Sequence, residues 1–226
     1  LHDIIFLEPR QGGNRSWYQN MGWYYRRMVV PRILSQCEKI ITVSHFECNR
    51  IREALQLPKD KITAIYNGYS EHFRPLSETL SITRKYIDDD DYIFFLGNTD
   101  PKKNVARTLK AYSLYLKQSD KKRPLLIADL SKDKLDAILR EQQIEEIKPY
   151  LSYPGYIPNK DLAYLYNGAF VFLYTSLRES FGIPMLEAMA CGTPVITGNT
   201  SAMPEIAGEG GILVNSLNAK EIAEKI

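Results

Sequence analysis

The stretch from residue 169 to 197, AFVFLYTSLRESFGIPMLEAMACGTPVIT, decides how this chain folds. Its first six residues, Ala169 to Tyr174, form an apolar run that predicts a buried strand. A helix is predicted from Pro184 to Gly192, because proline suits the first turn of a helix and glycine suits the position just past its end. Pro194 to Thr197 predicts another strand. This strand–helix–strand order indicates parallel strands that are covered by helices.

The same alternation extends toward the amino terminus and places the whole chain in the α/β class. Further strands are predicted at Lys39–Ser44, Ile62–Tyr66, Tyr92–Leu96 and Pro124–Ala128. Further helices are predicted at Glu47–Leu55, Val105–Leu116, Leu135–Ile147 and Leu162–Tyr166, and the chain ends in a helical pattern from Ala219 to Ile226.

An aromatic and basic segment, residues 17–32, stands out near the amino terminus. Its spacing predicts a helix that Pro31 interrupts. Two interpretations remain open. The helix could lie at a membrane surface, or it could pack its aromatic side chains inside the domain.

Composition excludes several classes of protein. The 226 residues carry a formal net charge of +2, which is too close to neutral to indicate nucleic-acid binding. The three cysteines lack Cys-x-x-Cys spacing and indicate inert thiols in a reducing compartment. The histidines are scattered, and His45 and Cys48 lack a second ligand pair, so no metal site is predicted. The acidic run Asp88–Asp91 precedes a strand and is interpreted as a solvated loop.

The chain shows no membrane-spanning run and no signal peptide. It starts at Leu1 rather than Met and stops within a helical pattern, so we expect a fragment of a longer protein.

Two carboxylates flank the start of the helix that follows Tyr174. Glu179 lies in the connection that we name the glutamate loop (residues 175–182), and Glu187 is expected in the first turn of the helix. Gly182 lets the backbone approach a ligand closely, and the free amides at a helix start suit a diphosphate. The carboxylates could accept hydrogen bonds from sugar or ribose hydroxyls. The alternative is that the helix dipole alone favours Glu187 at this position.

A second anion site is possible in the connection that we name the lysine loop (residues 97–104). It joins a strand to a helix and carries Lys102 and Lys103. Lysines beside a helix start face an unfavourable dipole, and a bound anion would remove that conflict. The alternative is that both are ordinary surface lysines in a turn.

At this point the motifs resemble family 4 of the retaining glycosyltransferases. The resemblance lies in Glu179-x7-Glu187, in Ala188-x-Ala190-x-Gly192-x-Pro194-Val195-Ile196, in Pro204-Glu205, in the lysine loop, and in His2-Asp3, Thr42-Val43-Ser44 and Tyr66-Asn67-Gly68. It implies the GT-B fold, with two Rossmann-like domains of parallel sheets. We expect a partial amino-terminal, acceptor-side domain at 1–72 and a nucleotide-sugar-binding domain at 73–226.

The resemblance also implies a role for each site residue. Glu179 would bind the donor sugar together with the amides around Phe181, Gly182 and Ile183. Glu187 would bind the ribose, and Lys103 the diphosphate.

His2 would face the sugar from the other domain, and the backbone at Tyr156 and Ile157 would hold the base. Asn98 stands where the family often has Arg, so part of the phosphate charge would fall to Lys102. Glu179, His2 and Lys103 are the expected catalytic residues.

The implied activity is that of a retaining hexosyltransferase that acts without a metal or another cofactor. It would move a sugar from a nucleotide diphosphate sugar to an acceptor hydroxyl on a sugar or a lipid-linked sugar, in polysaccharide or glycolipid assembly. We expect a cytoplasmic protein, with peripheral contact at the inner face of the membrane through the amino-terminal domain. The alternatives are a sugar-nucleotide isomerase of the UDP-N-acetylglucosamine 2-epimerase type and a fragment that only binds the nucleotide sugar. A nicotinamide dehydrogenase is unfavoured, because no Gly-x-Gly-x-x-Gly follows a strand.

Overall fold

The chain forms two compact units, Leu1–Asn67 and Gly68–Ile226. This computed structural model describes residues 1–4, 7 and 17–226. The boundary predicted after residue 72 lies in the same stretch, residues 65–79, which contains no helix or strand. That finer boundary stays a prediction.

The described residues of the first unit form two helices and a pair of parallel strands. These are α1 (Trp17–Gln36), β1 (Ile40–Thr42), α2 (His45–Leu55) and β2 (Ile62–Ala64). β1 pairs with β2 so that Ile40 lies opposite Ile62. Buried aliphatic side chains hold these elements together, namely Ile4, Leu34, Ile40, Ile51 and Ile62.

One expectation about the first helix is wrong, and the exposure of its side chains bears on the two interpretations that were left open. Pro31 does not interrupt α1, which continues to Gln36. Proline removes only one backbone donor, and Leu34 beyond it is buried in the core, which favours continuation of the helix. The aromatic side chains do not all pack inside, because Tyr18 is 78% exposed and Tyr25 is 64% exposed.

The second unit, all of whose residues are described, alternates strands and helices. Its strands are β3 (Tyr92–Leu96), β4 (Leu125–Ala128), β5 (Leu151–Gly155), β6 (Ala169–Tyr174), β7 (Val195–Gly198) and β8 (Gly211–Val214). Its helices are α3 (Leu80–Thr83), α4 (Val105–Gln118), α5 (Lys132–Gln142), α6 (Asn159–Gly168), α7 (Ile183–Ala190), α8 (Met203–Ala207) and α9 (Ala219–Lys225).

The strands of the second unit form one parallel sheet in the order β5-β4-β3-β6-β7-β8. Side chains of β3 alternate between the two faces, as a strand requires. Ile93 and Phe95 pack with α4, α5 and α9, whereas Tyr92 and Phe94 pack with α6, α7 and α8. This helix–sheet–helix layering confirms the predicted α/β class.

The sequence reading missed both edge strands, β5 and β8. β5 contains Pro154 and β8 is mostly exposed, so neither shows the buried apolar run of an inner strand. The helix predicted to reach Ile147 is also wrong. α5 ends at Gln142, because Gln143 adopts the left-handed conformation (φ 55°) that terminates helices.

The strand order creates one position where a ligand site is favoured. From β3 the chain proceeds outward to β4 and β5, and then returns to place β6 on the other side of β3. The loops after β3 and β6 therefore lie side by side at the carboxyl edge of the sheet, where open parallel sheets bind ligands. These are the lysine loop and the glutamate loop.

Candidate functional site

The two loops meet through an ion pair. Nζ of Lys103 lies 2.7 Å from Oε1 of Glu179, and the side chains are only 15% and 12% exposed. The topology makes this contact possible, because the residues are 76 positions apart in the chain. The structure therefore brings together two residues that the sequence analysis placed in one site.

Polar contacts fix the lysine loop against its neighbours. The amide of Leu177 donates to the carbonyl oxygen of Lys102 at 2.7 Å. Nδ2 of buried Asn104 donates to the carbonyl oxygens of Thr175 and Ser216, at 3.0 and 2.7 Å. Asn104 adopts a positive φ of 59° and ends the short 3-10 turn Pro101–Lys103. The loop that carries the lysines is thus held rigidly.

The glutamate loop ends at a glycine whose conformation matters. Gly182 has φ 107° and precedes the first residue of α7. A Cβ at this position would lie 3.3 Å from Cε1 of Tyr174 and 3.4 Å from Cε of Met185. Glycine therefore allows both the backbone turn and the close packing over Tyr174. Pro184 has no amide hydrogen, and the amides of Met185 and Leu186 donate to the carbonyl oxygen of Gly182 at 3.0 and 3.3 Å. The positive end of the α7 dipole, rather than a set of free amides, therefore lies at the carboxyl edge.

Glu187 lies deeper in the unit than expected. It is the fifth residue of α7, so its predicted place in the first turn is wrong and the helix dipole does not explain it. Its carboxylate instead accepts a hydrogen bond from the phenol of Tyr166, with 3.3 Å between Oη and Oε2. Burial raises the pKa of Glu187, while the Tyr166 bond and His72 act in the opposite direction.

A second buried phenol faces Glu179. Burial raises the pKa of Tyr174 well above its usual value, and the charge of Glu179 and a hydrogen bond to it raise that pKa further. The ring of Tyr174 also lies 5.1 Å from Nζ of Lys103. Tyr174 thus lies beside the ion pair.

Asn98 and Lys102 lie at the outer side of the lysine loop. Oδ1 of exposed Asn98 accepts a hydrogen bond from the amide of Asp100 at 2.9 Å. Nζ of Lys102 lies 3.9 Å from Oδ2 of the same Asp100. Both side chains thus interact with Asp100, and their roles in phosphate binding stay predictions.

The segment predicted to hold the base follows β5. Tyr156 is 77% exposed, Ile157 is buried, and Gly155 before them has φ 81°. Two strand spacings, roughly 10 Å, separate β5 from β3 at the carboxyl edge. His2 is exposed in the first unit, and its role stays a prediction. Phe181 is buried and Ile183 is exposed at the start of α7.

The acidic run Asp88–Asp91 forms a loop before β3, as predicted. Asp90 pairs with Arg84 at 2.8 Å, and Oδ1 of Asp91 pairs with Nε of Arg123 at 2.6 Å. Within the part of the chain that the structure describes, no three His, Cys, Asp or Glu side chains converge as a metal site would require. The cysteines of that part are free thiols, and Cys191 is buried.

A cavity of about 640 Å³ opens beside the lysine loop, between α4 and α5. Its lining includes Asn98, Arg107, Lys134 and Glu141. The charges have both signs, so the lining favours no single class of ligand. The cavity lies next to the ion pair, but neither Lys103 nor Glu179 lines it.

Sequence reasoning missed three residues of this site. Tyr166 and Tyr174 look like ordinary core residues in the sequence, and only the fold brings Tyr166 to Glu187 and Tyr174 to the Lys103–Glu179 pair. Asn104 is part of the lysine loop in the sequence, but the sequence does not predict that its side chain fixes this loop to the carbonyl oxygens of Thr175 and Ser216. No local pattern marks these contacts, because the partners are distant in the chain.

Two family models match the chain. The model described as "Glycosyl transferases group 1" matches residues 80–226, and the one described as "Glycosyltransferase Family 4" matches residues 2–72. The chain belongs to the glycosyl transferases group 1. The matched range contains both loops and both glutamates, and the resemblance found in the sequence is confirmed.

Curated relatives of this glycosyl transferase chain include two O-antigen chain mannosyltransferases. It is 31% identical to the O-antigen chain mannosyltransferase B of Escherichia coli, over 89% of this chain and 54% of the relative. It is 26% identical to the O-antigen chain mannosyltransferase RfbU of Salmonella typhimurium, over 84% of this chain and 50% of the relative. The chain thus spans about half the length of these relatives.

Solved structures of glycosyl transferases share the fold. A sucrose-phosphate synthase from Thermosynechococcus elongatus superposes with a TM-score of 0.72 at 24% identity, over 89% of this chain and 51% of that one. A glycosyltransferase from Rickettsia africae gives a TM-score of 0.70 at 21% identity, over 95% and 57%. These neighbours confirm the predicted GT-B fold. In the described part of the chain, every helix is too short or too polar to cross a membrane.

Proposed function

We propose that this chain is the donor-binding part of a retaining glycosyltransferase that moves a sugar from a nucleotide diphosphate sugar to an acceptor hydroxyl. The observation that carries the proposal is the contact between Lys103 and Glu179 at the switch point of the sheet. A cation for the diphosphate and a carboxylate for the sugar lie next to each other there. The family match over residues 80–226 supports the same activity.

In this proposal the donor extends along the carboxyl edge of the sheet. The diphosphate lies at Lys103 and Lys102 and near the start of α7, where the positive end of the helix favours an anion. Glu179 accepts hydrogen bonds from the sugar, and Glu187 accepts them from the ribose. The base lies at Tyr156 and Ile157. Asn98 takes the place of a phosphate-binding arginine without its charge.

The chemistry follows from these placements. The diphosphate gains negative charge as the glycosidic bond breaks, and fixed cations and amides that face it stabilise the transition state. We propose that these groups make a metal unnecessary. Retention would follow from attack by the acceptor on the face that the leaving phosphate vacates, with that phosphate taking the acceptor proton. His2 would contact the sugar from the first unit.

The names of the relatives supply the proposed sugar and context. The curated mannosyltransferases of O-antigen chains support a mannosyl donor and a role in surface polysaccharide assembly. A cytoplasmic enzyme at the inner face of the membrane would suit that role. The exposed aromatic side chains of α1, among them Tyr18 and Tyr25, are the proposed membrane contact.

A binding screen tests the donor proposal. The thermal unfolding temperature of the full-length protein is measured with GDP, UDP and ADP and with GDP-mannose, UDP-glucose and ADP-glucose. We expect one nucleotide series to stabilise the protein, with the sugar nucleotide at least as effective as the diphosphate. No stabilisation by any of the six would contradict a nucleotide-sugar site.

The anomeric configuration of the product tests the mechanism. Retention is expected, and an inverted product from the full-length protein would overturn it. The family match does not favour the alternative of an isomerase. Incubation of the donor without acceptor tests it, because an isomerase converts the donor alone and a transferase needs the acceptor. Turnover by the full-length protein but not by residues 1–226 would mean that this chain only binds the donor.

A further inference from the structure

An aromatic row lies beneath the two glutamates. The rings of Tyr166 and Phe172 are 5.1 Å apart and edge-on, and those of Phe172 and Tyr174 are 5.9 Å apart and stacked. The row thus links α6 to β6. At one end the Tyr166 hydroxyl donates to Glu187. At the other end the ring of Tyr174 lies 5.1 Å from Nζ of Lys103, the ion-pair partner of Glu179.

We propose that Tyr166 and Tyr174 are positioning residues, which hold Glu187 and Glu179 in the orientations that bind the ribose and the sugar of the donor. The inference rests on the proposed function, because it assigns the two phenols to a donor site. Neither tyrosine needs to touch the donor itself. Tyr166 acts through Glu187, to which its hydroxyl donates, and Tyr174 acts through the Glu179–Lys103 pair beside it.

Both phenols are protonated and can donate a hydrogen bond. Burial raises the pKa of both phenols well above the usual value, and the neighbouring glutamates raise it further. Each hydroxyl therefore stays protonated at neutral pH and has one hydrogen to donate. A carboxylate that accepts this hydrogen at one oxygen keeps its other oxygen for a ligand hydroxyl.

Both tyrosine rings are also held rigidly. Tyr166 is fully buried and Tyr174 is 3% exposed, so packing fixes both rings. The phenols are thus fixed points, and the hydrogen bond from Tyr166 restricts the rotation of the longer Glu187 side chain. A carboxylate ordered before binding costs less entropy when the ligand arrives.

The two phenols should act on different parts of the donor. Glu187 accepts its hydrogen bond from the neutral phenol of Tyr166. Glu179 has Lys103 as well, and the Tyr174 ring lies near that lysine. Replacing Tyr174 by Phe keeps the ring beside Lys103 and removes only the hydroxyl.

The experiment uses Tyr166→Phe and Tyr174→Phe in the full-length protein, with Tyr112→Phe as the matched control. Tyr112 is also fully buried, and its hydroxyl donates to the carbonyl oxygen of Arg123 at 2.8 Å on the other face of the sheet. The control thus loses a comparable hydrogen bond away from the glutamates. Affinities for GDP and GDP-mannose, and for UDP and UDP-glucose, are measured by calorimetry.

We expect Tyr166→Phe to weaken the diphosphate and the sugar nucleotide equally, by about tenfold, since a hydrogen bond to a charged group is lost. We expect Tyr174→Phe to leave the affinity for the diphosphate within about twofold of wild type. The ratio of the affinity for the sugar nucleotide to that for the diphosphate should fall, again by about tenfold. Tyr112→Phe should leave all affinities unchanged.

The pH dependence of diphosphate binding gives a readout that a merely structural role would not move. The titratable groups that face Glu187 are Tyr166, Tyr174, Cys191 and His72. The Tyr166 bond lowers the pKa of Glu187, so its removal should shift the acid limb of binding to higher pH. The control should not shift it.

The outcomes separate this inference from the proposed function. If the wild-type protein binds no nucleotide, the proposed function fails. If the wild-type protein binds and both Tyr→Phe variants bind like Tyr112→Phe, the positioning role is wrong and the donor site stands. An equal loss for both ligands in the Tyr174 variant would contradict the assignment of Tyr174 to the sugar.

Discussion

Glu179 and Glu187 differ in what balances their charge. Glu179 lies on a loop and is ion-paired with Lys103, whose Nζ is 2.7 Å away. Glu187 lies in the second turn of a helix and accepts one hydrogen bond from the neutral phenol of Tyr166. Burial raises the pKa of Glu187 in this environment. The two carboxylates of one motif are thus held by different physical means.

This difference indicates how each residue can be perturbed. Glu179 and Lys103 form a pair of opposite charges. Replacing either residue should therefore alter how the other one binds the donor. The Glu187 site is a carboxylate that is costly to ionise where it lies, so its ionisation should cost folding stability. Removing the charge of Glu179 should therefore change mainly turnover and donor binding. Removing the charge of Glu187 should change the folding stability as well.

The largest expected effect is that of Glu179→Ala on turnover. The variant removes the proposed sugar contact and leaves Lys103 without this carboxylate. We expect turnover to fall by about 10² to 10³-fold, as for loss of one group that stabilises a transition state. Initial rates of sugar transfer by the full-length protein give the measurement. Exposed Glu209 on the turn after α8 provides the control as Glu209→Ala, and activity near wild type in the Glu179 variant would refute the site assignment.

Lys103→Ala should have the next largest effect, on the nucleoside diphosphate itself. Loss of a charge-assisted contact predicts an affinity for GDP or UDP that is weaker by about tenfold or more. Calorimetric titration measures it, and Lys117→Ala, a change of an exposed lysine in the last turn of α4, is the control. In the double variant Lys103→Ala, Glu179→Ala, the two effects should not add, because the residues contact each other. An unchanged diphosphate affinity would rule out the phosphate role.

The sequence sufficed for the inner part of the second unit. Tyr92–Leu96 and Ala169–Tyr174 were predicted with the bounds that the structure has, because buried parallel strands are unbroken apolar runs. The edge strands β5 and β8 were missed, since a strand with one neighbour is less apolar and β5 includes Pro154. Local pattern thus predicted the centre of the sheet better than its rims.

The site divides in the same way. Glycine, proline and lysine at loop positions identified both loops, because their conformational and charge preferences are local. The phenol at Glu187 comes from Tyr166, 21 residues away, and no local pattern predicts such a contact. The expected first-turn place of Glu187 was wrong, because α7 begins at Ile183 and puts Glu187 against α6.

The smallest expected effect, and the one that most directly tests the contrast between the glutamates, is a gain of stability in Glu187→Gln. The pKa of Glu187 in the folded state is raised above its ordinary value of 4.5. Its contribution to folding stability is therefore complete only below pH 4.5 and is lost as pH rises through the raised pKa. At neutral pH the neutral amide, which can still accept from Tyr166, should therefore make the protein more stable, by less than about 1 kcal/mol after solvent screening.

Urea unfolding at pH 7 and pH 5 gives the measurement, and the advantage of the variant should shrink at the lower pH as wild-type Glu187 takes up a proton. Diphosphate affinity should fall at the same time, because the amide is a weaker acceptor for ribose hydroxyls. A variant that is less stable than wild type at pH 7 would mean that the ionised carboxylate stabilises the fold, as it would if Glu187 were balanced by charge in the way that Glu179 is.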